Sequence, residues 1–147
     1  MIMKMNKKGV TLLELIVVMA IIAIGAVLTV PNLGPWMANY RLRGATRDVT
    51  STLRVAQMRA VSNNLNYEVL FDGMARTYIL KRNTGGVWVD EGVTQTLPTG
   101  ILIVPPVNNP LTFSPNSSSN GGTIQLTNTK NTRTITVLPS TGRITNQ

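Results

Sequence analysis

KKGVTLLELI, residues 7–16, opens the most apolar part of the 147-residue chain. Seventeen of the 21 residues in Val10–Val30 are hydrophobic, and the exceptions are two threonines, one glutamate and one glycine. A helix of this length rises about 31 Å, which matches the hydrocarbon thickness of a bilayer. The sequence therefore predicts a helix over Val10–Val30 that is long enough to span a membrane.

Three lysines, Lys4, Lys7 and Lys8, precede this apolar stretch. By the positive-inside rule they hold the N-terminal side in the cytoplasm. A secretory signal peptide has a similar basic start, but its apolar core is only about 7–15 residues long and a small-residue cleavage site follows it. Here the apolar run is longer and no such site follows. One interpretation is a plain signal anchor that holds an exported domain.

Glu14 argues against a plain anchor. A charged side chain inside a bilayer helix is energetically costly even on lenient insertion scales, and it marks a functional group that needs a partner. No basic residue lies within one helical turn downstream of Glu14. If the chain were cut after Gly9, the new α-amine of Val10 would lie one turn away. That amine could pair with Glu14 of the same chain or of a neighbouring chain.

These residues resemble the signal of type IV pilins and type II secretion pseudopilins. In that family a short basic leader ends in Gly, and a dedicated inner-membrane peptidase cuts after it and N-methylates the next residue. The fifth residue of the mature family members is Glu. Gly9, Val10 and Glu14 stand at the matching positions, although Phe or Met is commoner at the position of Val10.

The resemblance implies that residues 1–9 are a cleaved prepilin leader and that residues 10–30 are first a membrane anchor and then a filament core. Glu14 would set the register between subunits, and Pro31 falls where many pilins carry a helix-kinking proline. The implied location is the bacterial inner membrane, with a single span and the C-terminal domain in the periplasm, and then the filament. The implied partners are other pilin or pseudopilin subunits, the prepilin peptidase, the inner-membrane assembly platform and, before assembly, membrane lipid.

Helical periodicity returns in residues 31–63. Pro31 and Pro35 each lack a backbone donor and are expected to kink or locally melt the helix. Apolar residues then recur at i, i+4, i+7 and i+11, which is one stripe of an amphipathic helix. The stripe consists of Val49, Leu53, Ala56 and Ala60. We predict that it packs on the globular domain.

Another face of the same helix is basic. It carries Arg43, Arg47 and Arg54. We interpret this arginine face as solvated, or paired with neighbouring subunits, rather than as a nucleic-acid site. The run Ser62-Asn63-Asn64 is expected to end the helix, because Asn tolerates left-handed and turn geometry.

Residues 64–147 have strand patterns. Apolar and polar residues alternate in two segments near the C-terminus, which indicates strands with one buried and one wet face and antiparallel pairing. Asp72-Gly73 and Gly85-Gly86 are hairpin signals, 139–142 is typical of a turn, and only Ser114–Gly122 has the composition of a mobile loop. The nine candidate strands are Tyr67–Phe71, Thr77–Arg82, Val87–Val89, Val93–Leu97, Ile101–Val104, Leu111–Phe113, Thr123–Thr127, Arg133–Leu138 and Arg143–Thr145. The predicted fold class is therefore α+β, with a long N-terminal helix packed on an antiparallel β-sheet domain.

Segments of this second half resemble the GspH/FimT class of minor pseudopilins and minor pilins. They are Ala56–Val61, Leu111–Ser114, Gly121–Leu126, Thr134–Val137 and Gly142–Ile144. The resemblance implies a long N-terminal helix packed against antiparallel β-sheets. It also implies a place in, or at the tip of, a filament assembled from the inner membrane. Whether that filament belongs to a type II secretion system or to a type IV pilus stays open.

The composition excludes several kinds of chemistry. The chain has no cysteine and no histidine, which excludes disulfide scaffolds, thiolate zinc sites and the usual hydrolytic triads. Asp90-Glu91 is the one adjacent acidic pair, and we interpret it as a solvated turn rather than a cation site. We therefore predict neither an enzyme nor a bound metal or cofactor.

The formal net charge of +8 suggests a nucleic-acid partner at first. Much of that charge, however, belongs to the leader and to the helix in residues 31–63. Some FimT-like minor pilins bind DNA through a basic Gly-Arg-x-Arg segment, of which Gly142 and Arg143 match the first half while Thr145 replaces the second Arg. Phosphate binding grows with the number of cationic contacts. DNA uptake is therefore the alternative function, and its candidate contacts are Lys130, Arg133 and Arg143.

Overall fold

The computed structural model describes residues 9–29 and 33–147. In these ranges the chain forms two helices, α1 (Leu12–Thr29) and α2 (Leu33–Asn63), followed by nine strands. The strands are β1 (Tyr67–Asp72), β2 (Thr77–Thr84), β3 (Val87–Asp90), β4 (Gln95–Thr96), β5 (Leu102–Val104), β6 (Leu111–Phe113), β7 (Gly122–Thr127), β8 (Thr132–Val137) and β9 (Ile144–Asn146). The α+β fold class is confirmed, and each predicted strand is present with its ends shifted by at most two residues.

Helix α1 begins two residues later than predicted because Thr11 caps it. The Thr11 Oγ1 atom accepts a hydrogen bond from the Glu14 N–H at 3.2 Å, which is the bond that an N-cap residue makes. All side chains of α1 that the structure describes are exposed. Across residues 9–29 and 33–147, no helix combines the length and the apolar character needed to cross a membrane. Pro31, the predicted kink, lies outside the described residues.

Helix α2 is amphipathic, and its apolar stripe is buried as predicted. Val49, Leu53, Ala56 and Ala60 are fully buried. Two threonines on the same side, Thr46 and Thr50, are also buried, and their hydroxyls donate to the backbone carbonyls four residues earlier at 2.7 Å. These bonds satisfy the buried hydroxyls within the helix.

Different local features explain where α2 begins and where it ends. Pro35 does not break the helix, contrary to expectation, because it is the third residue of α2 and the first-turn N–H groups have no intrahelical partner to lose. The C-terminal end is at Asn63, as predicted. Asn64 is left-handed with φ of 53°, and the Leu65 N–H donates to the Ala60 carbonyl at 3.3 Å. This is the hydrogen bond of a Schellman motif.

The strands form two antiparallel sheets. Sheet A has the order β3-β2-β1-β6, and β4 pairs with β2 beyond the end of β3. Sheet B has the order β5-β7-β8-β9. The hairpin between β2 and β3 turns at Gly85-Gly86, whose φ angles of 62° and 89° suit the two-residue turn that the sequence predicts.

A single hydrophobic cluster joins α2 to both sheets. Sheet A contributes Tyr67, Val69, Phe71, Leu111 and Phe113, and sheet B contributes Ile103, Ile124, Leu126, Ile135 and Val137. The alternation predicted for β7 and β8 is confirmed, since the apolar members are buried. The core of the domain therefore lies between the apolar stripe of α2 and the two sheets.

The polar segment between β6 and β7 is held by hydrogen bonds, although its composition suggests a mobile loop. The Ser119 N–H donates to the Pro139 carbonyl at 2.8 Å, and the Asn120 side chain donates to the carbonyls of Asn108 and Pro110. From α2, the Gln57 side chain donates to the Ser117 carbonyl at 3.4 Å. This segment therefore connects sheet B to the helix.

Candidate functional site

The predicted processing position is exposed and precedes the first helix. Gly9 lies three residues before α1 begins, and a Cβ atom placed on it would meet nothing within 4 Å. Val10 is 70% exposed. Both residues of the predicted cleavage position are therefore exposed among the described residues.

Glu14 lies in the first turn of α1 with its side chain exposed. Its N–H is bound by Thr11, and its carboxylate stands where the positive end of the helix dipole favours a negative charge. No ion pair of Glu14 occurs within the described ranges. The α-amine proposed as its partner would arise only after cleavage. Sequence reasoning missed the cap, whose signal is the Thr-x-x-Glu spacing of a capping box.

The rest of α1 is apolar on all sides and uncovered. Leu13, Ile16 and Ile24 are 72%, 58% and 64% exposed. A helix that is hydrophobic all round belongs in lipid or among other helices, because water around so much apolar surface is unfavourable. The described side chains of α1 therefore form an exposed apolar surface.

At the end of β3, Glu91 does not have the solvated position that the sequence suggested for Asp90-Glu91. The Glu91 carboxylate forms an ion pair with the Arg59 guanidinium of α2 and lies 3.8 Å from the Arg82 guanidinium of β2. Its Oε2 atom is buried without a hydrogen bond. Asp90 turns away and pairs with the Lys81 Nζ at 3.1 Å. Asp90 and Glu91 therefore form ion pairs with different cationic residues.

A recess of about 400 Å³ lies on this flank of α2, and we call it the paired groove. Its charged lining residues are Asp48, Arg59 and Glu91. Tyr78 also lines it, and burial, together with the nearby Asp48 charge, raises the pKa of the Tyr78 hydroxyl while a hydrogen bond with Thr52 lowers it. The net result is a pKa of Tyr78 above its ordinary value, beside the ion pair of Arg59 and Glu91.

The opposite flank of α2 carries an arginine groove, which we define by Arg43, Arg47 and Arg133. Two recesses of about 260 Å³ each form it, and Arg43 and Arg133 line both. Arg43 and Arg47 come from α2, whereas Arg133 comes from the start of β8. Neither recess is lined by a carboxylate side chain. The sequence placed Arg43 and Arg47 on one face but did not place Arg133 beside them.

The three residues proposed for DNA contact do not converge. Lys130 and Arg133 lie near the start of β8, whereas Arg143 follows the turn at its other end, where Val137 pairs with Ile144. Six residues of extended strand separate the two ends, or about 20 Å. Arg133 instead faces the arginines of α2.

Two family models match the chain. The prokaryotic N-terminal methylation motif matches residues 4–30, and the type II transport protein GspH matches residues 45–141. A search of curated proteins found no match. Neither family match supports the DNA-binding alternative.

Solved structures of two kinds have the same fold. The minor pseudopilin EpsH from the type 2 secretion system of Vibrio cholerae is 12% identical, with a TM-score of 0.63 over 73% of this chain and 96% of that chain. The type IV minor pilin FimU of Pseudomonas aeruginosa is 16% identical, with a TM-score of 0.62 over 77% of this chain and 92% of that chain. At these identities the likeness concerns the fold.

The GspH match covers more than half of the chain and follows a prepilin-type methylation motif. Proteins of this kind are structural subunits that assemble with other pilin subunits. The chain therefore belongs to the GspH family, as a minor pseudopilin or minor pilin with a prepilin-type N-terminus.

Proposed function

We propose that this chain is cleaved after Gly9, N-methylated on Val10 and assembled into a filament through its N-terminal helix. The filament is of the type II secretion or type IV pilus kind. Before assembly, residues 10–30 anchor the chain in the bacterial inner membrane with the C-terminal domain in the periplasm. The prepilin peptidase and the inner-membrane assembly platform act on it there. The uncovered apolar surface of α1 is the observation that carries this proposal.

The same apolar surface can serve in both environments. Lipid satisfies it in the bilayer, and the helices of neighbouring subunits satisfy it in the filament. Moving between them exchanges one apolar surrounding for another, so little net burial is needed to extract the subunit. The driving contacts must then be polar or shape-specific, and Glu14 is the ionisable group of α1 that can supply one.

Glu14 sets the axial register by pairing with the new α-amine of Val10 on a neighbouring subunit. A carboxylate and an ammonium group in an apolar surrounding attract more strongly than in water. Removing one partner leaves the other charge buried and unpaired, which is strongly unfavourable. A subunit in the wrong axial register would also leave a charge buried and unpaired, so the pair favours the correct register.

Processing is tested by expressing the full chain with a prepilin peptidase and measuring the intact mass of the product. We expect loss of residues 1–9 and gain of one methyl group on Val10. Gly9→Leu should block cleavage. Gly25→Ala is the matched control, because a Cβ atom at Gly25 also meets nothing within 4 Å. Equal cleavage of Gly9→Leu and the control would contradict the proposed site.

Assembly is tested by comparing Glu14→Ala with Thr11→Ala. Glu14→Ala should be cleaved and inserted normally but enter filaments poorly, as measured by its amount in sheared filament fractions. Thr11→Ala removes the helix cap and leaves the carboxylate, so it should enter filaments at nearly the normal level. Normal incorporation of Glu14→Ala, or equal loss in both variants, would mean that the carboxylate does not act by pairing between subunits.

A further inference from the structure

The arginine groove gathers three cationic side chains. Arg43, Arg47 and Arg133 form no ion pair within the described part of the chain, in contrast to Arg59, Arg82 and Lys81. Each guanidinium presents five N–H donors and no acceptor. Arg133 is half-buried, so its charge is screened less than that of a free surface side chain.

Polar contacts fix the end of the groove where α2 meets the β7–β8 turn. The Asn39 Oδ1 of α2 accepts hydrogen bonds from the Asn131 side chain at 2.6 Å and from the Asn128 side chain at 3.3 Å. These bonds hold the helix and the turn together on either side of the recess. The groove is therefore a built feature whose two walls keep the arginines near one another.

Such a groove suits carboxylate oxygens. Arginine forks bind carboxylates in a bidentate geometry, and the bonds are roughly twice as strong as those between neutral groups. Duplex DNA is a poorer fit, because its phosphates are spread along the duplex and binding grows with the number of them that are contacted. Three arginines gather here, and Arg143 lies at the far end of β8.

A second copy of this chain cannot supply the acidic surface. The whole chain has six acidic residues. Three of them are already in ion pairs or buried, namely Asp90, Glu91 and Glu68. Asp72 accepts two backbone N–H groups of its own turn, and the last two, Glu14 and Asp48, lie on separate helices. A cluster of free carboxylates would therefore come from a chain of different sequence.

We propose that the arginine groove is a docking surface for a cluster of carboxylate side chains on a different, acidic filament subunit. This inference rests on the proposed function for the identity of the partner as a filament subunit. The charge pattern then makes contact with an acidic neighbour favourable and contact between two copies unfavourable, since three unpaired arginines would face another basic chain. In the filament, this chain would then lie beside acidic subunits and not beside another copy of itself.

The groove is tested with a labelled hexaglutamate peptide added to the full chain in neutral detergent micelles, with binding followed by fluorescence anisotropy. The test variant is Arg43→Glu/Arg133→Glu. The control variant is Arg76→Glu/Arg143→Glu, which makes the same change in net charge outside the groove. We expect the test variant to weaken peptide binding by about tenfold or more and the control to change it by less than about twofold.

Two parallel titrations identify the ligand chemistry, one with inorganic phosphate and one with a short DNA duplex. Peptide binding that weakens with salt and depends on Arg43 and Arg133 supports the proposal. Equal losses in the two double variants would overturn it, because binding would then follow net charge alone. Duplex binding through the same arginines with no peptide binding would overturn it in favour of nucleic acid. These measurements do not depend on Gly9 or Glu14, so a failed processing or assembly test would leave them interpretable.

Discussion

The two helices of this chain handle apolar surface in opposite ways. All the described side chains of α1 are exposed, although the helix is apolar all round. α2 is far more polar, yet its one apolar stripe is fully buried against the sheets. The apolar content of a helix therefore does not by itself determine whether the helix packs into the core of the domain. The stripe of α2 is buried within the domain, whereas the described surface of α1 is exposed and is the surface that we propose for assembly.

The largest difference should appear when one leucine is shortened on each helix. Leu53 of α2 is completely buried, whereas Leu15 of α1 is 58% exposed. Leu53→Ala should lower the free energy of unfolding by about 2–5 kcal/mol, because it removes buried surface and leaves a cavity. Leu15→Ala should change it by less than about 0.5 kcal/mol. Denaturant unfolding of the full chain in neutral detergent measures both.

Filament incorporation of the folded chain should be reduced more by Leu15→Ala than by Leu53→Ala. Leu15→Ala removes surface from the proposed assembly helix and should reduce incorporation of a fully folded chain. If Leu15→Ala destabilised the domain as much as Leu53→Ala, the separation between a folding helix and an assembly helix would be wrong.

The next effect concerns how α2 is tied to the turn before β9. Gly142 has φ of 59°, and a Cβ atom there would lie 2.3 Å from the Ser117 carbonyl oxygen and 2.7 Å from the Gln57 amide nitrogen. Gly142→Ala should therefore lower the free energy of unfolding by about 2–3 kcal/mol. Gly44→Ala is the control in α2, where nothing lies within 4 Å. It should raise the free energy of unfolding by up to about 1 kcal/mol, and thermal unfolding of both variants would show opposite shifts.

Much of this arrangement could be predicted from local patterns. The stripe from Val49 to Ala60, the alternation in β7 and β8 and the Gly85-Gly86 hairpin all follow from spacing of apolar and turn residues. Such signals are local because helices and hairpins are formed by neighbours in sequence. The prepilin-type motif was equally visible, since its residues are contiguous.

Long-range polar contacts could not be predicted in the same way. Glu91 was expected in a solvated turn, but it pairs with Arg59, which is 32 residues earlier in the chain. The arginine groove also depends on Arg133 meeting residues of α2 that are about 90 positions away. Charge has no periodic signature that reports its tertiary partner, so local spacing predicts the arginine face of α2 but not the position of Arg133 beside it.

A smaller effect should come from the ion pair that fastens α2 to the β3–β4 connection. Glu91→Gln leaves Arg59 without its carboxylate in a partly buried position. We expect a loss of about 1–2 kcal/mol, between the values for exposed and fully buried pairs. Asp90→Asn removes the more exposed pair with Lys81 and should cost less than about 0.5 kcal/mol. Equal effects in urea unfolding would mean that the Arg59 contact does not position the helix.

The smallest expected effect is a pH dependence of unfolding that differs between Glu68, which is buried in the domain, and Glu14 on α1. Glu68 in β1 is 7% exposed, and burial raises its pKa while the charge of Lys81 partly lowers it. A carboxyl with a raised pKa destabilises the fold while it is ionised, and this penalty disappears as the pH falls through the raised pKa toward the ordinary value. Glu68→Gln should therefore be more stable than the parent at pH 7.

That advantage should vanish below about pH 4, where the parent carboxyl is protonated in both the folded and the unfolded states. Glu14→Gln is the matched control, because Glu14 is exposed on α1 and is not among the residues of the hydrophobic core. It should leave the unfolding of the domain unchanged at both pH values. A pH-dependent gain in the free energy of unfolding from Glu14→Gln would contradict the expectation that Glu14 does not affect the stability of the domain. The absence of such a gain from Glu68→Gln would contradict the expectation that ionised Glu68 destabilises it.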